Sequence, residues 1–402
     1  MAKKRERGNG TGTVYPRKNK QGKIISYLGA YHGPDGKRRY VSAKKKGECQ
    51  RRLREAMTDA DRGLIFDRPD LKLGEYLGSW LSDSVKDTVR QRTWERYESI
   101  CRVHIKPTLG RAKLRTLTSN HLRALYRDKL DAGLAPRTVN YIHVTLHKAL
   151  NDAVSDGLVP KNVASAVKSP RPEKPEIHPL TREQARILLE AASMEEDRFE
   201  ALYVVALHCG LREGELLGLK WEDVGLGAGT LAVRRTLSET RTGHKFELPK
   251  NGRGRSVKLS QGAVEALKSH RARQNGERLK AGSLWQDHDL VFPTTIGTTM
   301  SGTNLTGRHF KPLLKKAGLP AIRLHDLRHT CATILLMAGK HPKFVQELLG
   351  HASISITLDT YSHVVEGMDG GRGHGRRAVN ARFGRYFRHR GFWLDPEAEN
   401  PT

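Results

Sequence analysis

The chain's 402 residues exceed one ordinary domain and predict two or three. A formal charge of +28 and a pI near 10.1 are too basic for an enzyme of small metabolites and point to a polyanion, either nucleic acid or an anionic membrane surface. No apolar run approaches the roughly 20 residues that span a bilayer: ALYVVALHCGL at 201–211 is short and carries a histidine, and the charged start MAKKRERGNG has no apolar segment behind it, so no secretory leader is expected.

Residues 1–65 hold 18 Lys/Arg against 6 Asp/Glu. GTVYP, KIISYLGAY and KRRYVSA read as three short strands, with GPDG at 33–36 as a turn signal. A helix follows over 44–60, with Cys49, Leu53, Ala56 and Ala60 on one face and Arg51, Arg52 and Arg54 pointing elsewhere. A basic sheet backed by a helix can lay strands into a DNA groove, or it can be a small solvated β-domain; the charge favours DNA. Residues 71–167 predict an all-helical bundle, with Thr118 as an N-cap, Gly133 as a stop, and Pro107 and Pro136 as punctuation. KSPRPEKPEIHP, 168–179, has four prolines in twelve residues and predicts a stiff linker. Residues 180–368 run from helix (TREQARILLEAA; FEALYVVALHCGLREGELLGL) into strands (TLAVRRTLS, FELP, RSVKLS) and back to helix, an α+β pattern. A Gly/Arg-rich tail occupies 369–402. GNGTG and GGRGHG resemble phosphate loops, but neither lies between a strand and a helix. Cys49, Cys101, Cys209 and Cys331 are scattered and read as reduced, mostly buried thiols of a cytosolic protein.

Six polar residues in the 180–368 unit stand out. Arg212 opens REGELLGL, with Glu215 one turn on. Lys250 ends FELPK just before NGRG, which predicts a hairpin tip. His325 and Arg328 share a helix face in LHDLRHTCATILLMAG. His351 follows the glycine that stops KFVQELLG. Tyr361, set between Thr360 and Ser362, reads as presented rather than packed. Each alone has an ordinary explanation: a helix cap, a solvated lysine, hydrogen-bonded core histidines. It is their order and spacing together that asks for a chemical one.

These stretches resemble the tyrosine recombinases, or phage-type integrases. The resemblance is carried by HCGLREGELLGLKWEDV, PKNGRGRSVKL, LHDLRHTCAT, LLGHASI and LDTYSHV, and it covers the catalytic domain; HIKPTLG and GLAPRTVNYIHVTLHKAL look like the family's core-binding domain. It implies a mainly α, multidomain chain: a β+α arm-binding domain, an all-α core-binding bundle and an α+β catalytic domain. It implies a catalytic set of Arg212, Lys250, His325, Arg328, His351 and the nucleophile Tyr361, with no metal, cofactor or ATP. The implied partners are double-stranded DNA attachment sites and a homotetramer on DNA, in the bacterial cytoplasm. A DNA-bending host protein and an excisionase are further candidates, and a membrane is not. Family members usually end soon after the tyrosine with a helix that docks on a neighbouring protomer; here 41 residues follow Tyr361.

The implied chemistry is an attack of Tyr361 on a phosphodiester. Two arginines neutralise the transition state, Lys250 protonates the leaving 5′ oxygen, and His325 and His351 donate to the phosphate or manage the phenolic proton. A 3′-phosphotyrosine then conserves the bond energy. Three alternatives remain. A type IB topoisomerase shares this chemistry. A non-catalytic DNA-binding protein shares the charge but does not require Lys250 and Tyr361. A metalloenzyme built on His325, His329 and His351 has a ligand spacing of i, i+4 in its first pair, but Arg328 lies between and repels a cation.

Overall fold

The computed structural model describes residues 12–33, 36–61, 70–173 and 177–369. The start MAKKRERGNG, most of GNGTG, the middle of the GPDG turn, residues 174–176 of the proline-rich stretch, GGRGHG and all but the first residue of the tail lie outside the described residues. The chain divides into two units, Met1–Lys174 and Pro175–Thr402.

The first unit begins with an antiparallel sheet of order β1 (Thr13–Lys18), β2 (Ile24–His32), β3 (Arg38–Ala43). Pro16 sits on β1, an edge strand, where its missing N–H costs no ladder bond. Helix α1 (Lys46–Asp61) turns Cys49, Leu53 and Ala60 inward. The Cys49 thiol donates to the Tyr27 carbonyl at 3.4 Å, which ties the helix to the middle strand.

The rest of this unit is helical. Helix α2 (Leu73–Ser79) continues in π geometry through Trp80–Val85. Helix α3 (Gln91–Ile100) continues likewise over Cys101–Ile105 into α4 (Lys106–Leu109). Pro107 does not punctuate as its residue type suggests. It lies inside a continuous helical path, because the ladder widens in the turn before it, where a proline cannot donate. Helix α5 (Ser119–Asp131) opens on Thr118, whose hydroxyl accepts the His121 N–H at 3.4 Å. Pro136 occupies the first turn of α6 (Pro136–Ser155), where an N–H is not needed. Leu77, Trp80, Ile105, Leu122, Ile142 and Leu146 form the centre of this bundle. Two buried polar tips are satisfied there: Trp80 Nε1 donates to Asp152 at 2.7 Å and the Tyr76 hydroxyl to the Ala149 carbonyl at 2.6 Å.

In the second unit α7 (Arg182–Met194) starts with a reciprocal Thr181–Gln184 cap. Helix α8 (Glu200–Cys209) is buried on every side from Ala201 to Cys209 and is the centre of the core. The long helical pattern read from 199 to 219 is broken at Gly210, and a short α9 (Glu213–Leu217) follows. The expected strand TLAVRRTLS is two strands in two sheets. Strand β5 (Thr230–Val233) lies between β4 (Val224–Gly225) and β8 (Arg255–Lys258), while β6 (Thr236–Thr240) pairs with β7 (Gly243–Glu247). Helices α10 (Gln261–Ala281), α11 (Gly302–Asn304), α12 (Lys311–Lys316), α13 (Asp326–Met337), α14 (Pro342–Leu349) and α15 (Ile354–Asp369) complete the unit. The chain is thus multidomain and mainly α, with a small N-terminal sheet region, a helical bundle and an α+β region. Among the described residues no helix is long and apolar enough to cross a membrane.

Candidate active site

Of the second unit's helices that stop on glycine, two deliver the glycine carbonyl to an arginine. Helix α8 ends at Gly210, with φ +58°. A Cβ there would come within 2.5 Å of Leu349 Cδ2, so the position needs glycine for its space as well as its φ. The Gly210 carbonyl accepts from Arg328 Nη1 at 2.6 Å. Helix α14 ends at Gly350, with φ +64°. Its carbonyl accepts from Arg212 Nη2 at 3.2 Å.

Arg212 sits at the N-cap of α9, and its backbone N–H and Nη1 both donate to Glu215, at 3.0 and 2.8 Å. Arg255, at the start of β8, reaches the same carboxylate from the other side and also donates to the Leu348 carbonyl at 2.8 Å. Burial alone would raise the Glu215 carboxyl. The bond and charge of Arg255, then those of Arg212, outweigh it and bring the group to about 2.

Arg328, on α13, is only 3% exposed. Burial and the neighbouring Arg212 push its guanidinium down to about 9, which still leaves it charged at neutral pH. Its Nη2 is buried with no hydrogen-bond partner. Two arginines, Arg212 and Arg255, therefore share one carboxylate, Glu215, while a third, Arg328, has no carboxylate of its own and keeps an unused donor. Such a site attracts an anion with several oxygens.

The histidines fill in around the arginines. His325 caps α13 and keeps a solvent-exposed edge; the protein packed beneath it, then the His329 and Arg328 charges, push it down to about 4. His351 Nδ1 lies 2.8 Å from the Thr357 hydroxyl, and burial, then Arg328 and Arg212, push His351 down to about 4.

Tyr361 is not presented, as its polar flanks suggest. It is 2% exposed and packs with Cys331, Ala332, Leu335, Val345 and Leu349. Burial raises its phenol above the usual value while the Arg328 charge pulls it back. Thr360 and Ser362 mislead because adjacent residues on a helix face different directions. The buried neighbour on its face is Thr357, one turn earlier. The helix is broken at the tyrosine itself, where φ is −122° and ψ 19°. Arg212, His325, Arg328, His351 and Tyr361 thus sit around the ends of α8, α13 and α14.

The profile of the phage integrase family matches residues 178–367, and that of the phage integrase N-terminal SAM-like domain matches 72–130. The chain is similar to a tyrosine recombinase XerC-like protein of Caldanaerobacter subterraneus subsp. tengcongensis, 32% identical over 348 residues, 82% of this chain and 88% of that protein. It belongs to the phage integrase family of tyrosine recombinases. In fold it is similar to the Tn1549 transposon integrase in complex with transposon right end DNA, at 21% identity and a TM-score of 0.63, covering 76% of this chain and all of that one. It is similar also to a lambda integrase tetramer bound to a Holliday junction, at 21% identity and a TM-score of 0.55, covering 88% and 96%.

In this site-specific recombinase Lys250 does not sit at a hairpin tip. Strand β7 pairs with β6 and β8 with β5, so the segment carrying Lys250 links two sheets. Its side chain is exposed. The adjoining Asn251 approaches the Gly350 carbonyl at 3.5 Å, which sets the segment beside the Arg212 contact. Sequence reasoning gives Arg255 no part and His329 only that of a metal ligand, yet Arg255 holds Glu215, and His329 Nδ1 lies 2.8 Å from the Tyr361 hydroxyl. The signal for His329 is its place next to Arg328; Arg255 carries none beyond being one of many basic residues. Among the described residues of the recombinase no group of three or more His, Cys, Asp or Glu side chains could hold a metal ion.

Proposed function

We propose that this recombinase cuts and rejoins double-stranded DNA at attachment sites of a phage or mobile element, through a 3′-phosphotyrosine at Tyr361. Arg212, Lys250, His325, Arg328 and His351 are its remaining catalytic residues. The observation that carries the reading is the buried Arg328 guanidinium with one unpaired nitrogen, close enough to Arg212 and Tyr361 for each to shift it. A scissile phosphate supplies the missing acceptor. Arg212 and Arg328 hold its non-bridging oxygens and neutralise the charge that grows in the transition state.

An unperturbed phenol is ionised in only about one molecule in a thousand at pH 7, and burial raises Tyr361 further. The tyrosine therefore attacks only once a phosphate is seated and its proton is removed. The break in α15 at Tyr361 is the hinge on which the hydroxyl turns to phosphorus. Lys250, exposed on its linking segment, protonates the departing 5′ oxygen. His325 and His351 donate to the phosphate.

The sheet and α1 of the first unit contact arm-type sites, and the helical bundle contacts the core site. We infer assembly as a homotetramer on DNA, as in the similar lambda integrase complex, with a bending protein and an excisionase as further partners. A nicked suicide substrate tests the central step. Wild type should accumulate a covalent protein–DNA adduct, and Tyr361→Phe should bind the same DNA and form none. Adduct in the Phe variant would move the nucleophile to another side chain.

A further inference from the structure

The phenolic proton of Tyr361 needs an acceptor. His351 is turned to Thr357, with Nδ1 2.8 Å from its hydroxyl. His325 stands beside His329, their rings 5.2 Å apart and nearly perpendicular. His329 alone of the three has a hydrogen bond to the tyrosine: Nδ1 lies 2.8 Å from the hydroxyl, with the ring centroids 5.8 Å apart.

Resting on the reading that Tyr361 is the nucleophile, we propose that His329 is a further catalytic residue, which takes the Tyr361 proton during strand cleavage and returns it on resealing. The bond from the phenolic oxygen to phosphorus forms and the bond from phosphorus to the 5′ oxygen breaks. The phenolic proton goes to His329 Nδ1, and the 5′ oxygen takes its proton from Lys250. One proton enters His329 and one leaves Lys250, so charge and atoms balance. Resealing runs the same steps backwards.

The surroundings suit this task. Helix α13 holds His329 rigidly, while the helical path of α15 is broken at Tyr361, so the hydroxyl can turn toward phosphorus as its proton is handed over. The groups facing His329 are His325, Asp326 and Arg328 from its own helix and cap, Arg323 from the preceding loop, His351 beyond α14, and Tyr361. Burial lowers the imidazole pKa, Arg328 and Arg323 lower it further, and Asp326 opposes them. His329 is therefore neutral at neutral pH and has a lone pair to offer. An imidazolium beside Arg328 is costly until a phosphate lies between the arginines. Substrate binding thus strengthens the base at the moment it is used.

Single-turnover adduct formation on the suicide substrate tests the proposal. The proteins are wild type, His329→Gln, and both with fluorotyrosine in place of Tyr361. At equal DNA binding, His329→Gln should be slower by about a hundredfold or more. Fluorination makes the phenol more acidic and less in need of a base. It should recover most of the loss in His329→Gln and change wild type little, an outcome a merely structural role does not produce. A wild-type rate in His329→Gln, or a slow variant that fluorination leaves slow, would overturn the proposal. Should glutamine not be accommodated, His329→Ala with added imidazole gives the same answer: imidazole-dependent cleavage supports the base, and insensitivity overturns it. Tyr361→Phe runs alongside. Adduct in that variant, or none in wild type, sinks the nucleophile reading instead and is told apart from a failure of His329.

Discussion

Arg255 and Glu215 face each other as a fork, Nη2 to Oε2 at 2.8 Å and Nη1 to Oε1 at 3.2 Å, with the carboxylate almost fully buried. The same carboxylate holds Arg212, and Arg255 also holds the end of α14 through the Leu348 carbonyl. One pair thus fixes the distance between Arg212 and the segment that carries His351. Removing Arg255 leaves a buried carboxylate with one partner fewer, which typically costs about 3–5 kcal/mol. Arg255→Ala should lower the urea midpoint accordingly and slow cleavage. Arg255→Lys keeps the charge but loses the fork, and should be slow in cleavage while closer to wild type in stability. If both variants melt and cleave like wild type, the pair does not position the site.

Lys250 is tested through the leaving group. Lys250→Ala should cleave ordinary DNA slowly. A substrate with sulfur at the bridging 5′ position loses a thiolate, far less basic than an alkoxide; cysteine's thiol has a pKa of about 8.5. Cleavage of that substrate should return nearly to the wild-type rate. Arg212→Ala and Arg328→Ala should recover less, because the non-bridging oxygens still need their charge neutralised. Failure of rescue in Lys250→Ala would make the lysine an anchor and leave the acid to another group.

Much of this site is legible because helix ends are written locally. Gly350 announces its stop and so places His351, whereas the stop at Gly210 is hidden inside a pattern that reads as one helix from 199 to 219. His325 and Arg328 share one helix by spacing alone. Lys250 is misplaced by a local reading because strand pairing is not local: β7 turns back on β6 rather than forward to β8. The burial of Tyr361 is hidden because its partners Cys331, Val345 and Leu349 come from α13 and α14 and are not its neighbours in sequence. For the same reason the bond of His329 to a tyrosine 32 positions later is hidden in the sequence.

The N-terminal 65 residues carry a net +12, 18 basic minus 6 acidic. The helical bundle has its own core, so a chain lacking them should still fold. A phosphate that the protein no longer neutralises keeps its condensed counterions, so the slope of log affinity against log salt should become shallower. Cleavage of a core-site substrate should persist while recombination of full attachment sites falls. An unchanged slope and unchanged recombination would remove the arm-binding role.

Stability should fall in mild acid, for a reason that the buried histidines supply. Burial pushes His208 down to about 3 and His270 to about 4, the latter against the opposing pull of its bond to the Val291 carbonyl. In the unfolded chain both return to about 6.5. Between about pH 6.5 and 4 the unfolded state therefore binds protons that the folded state refuses. Their stabilising contribution is complete above pH 6.5 and drains away as the pH falls, at up to about 1.4 kcal/mol per pH unit for each proton. Glu215, held at about 2, adds a further loss below the ordinary carboxylate range, with the same sign. Urea midpoints measured from pH 8 to 4.5 should be flat at first and then drop below about pH 6.5. His270→Gln, which can still donate to Val291, should show a shallower drop by up to one proton's worth, whatever its absolute stability. A midpoint that rises on acidification, or a slope untouched by the substitution, would mean that these histidines are protonated in the fold.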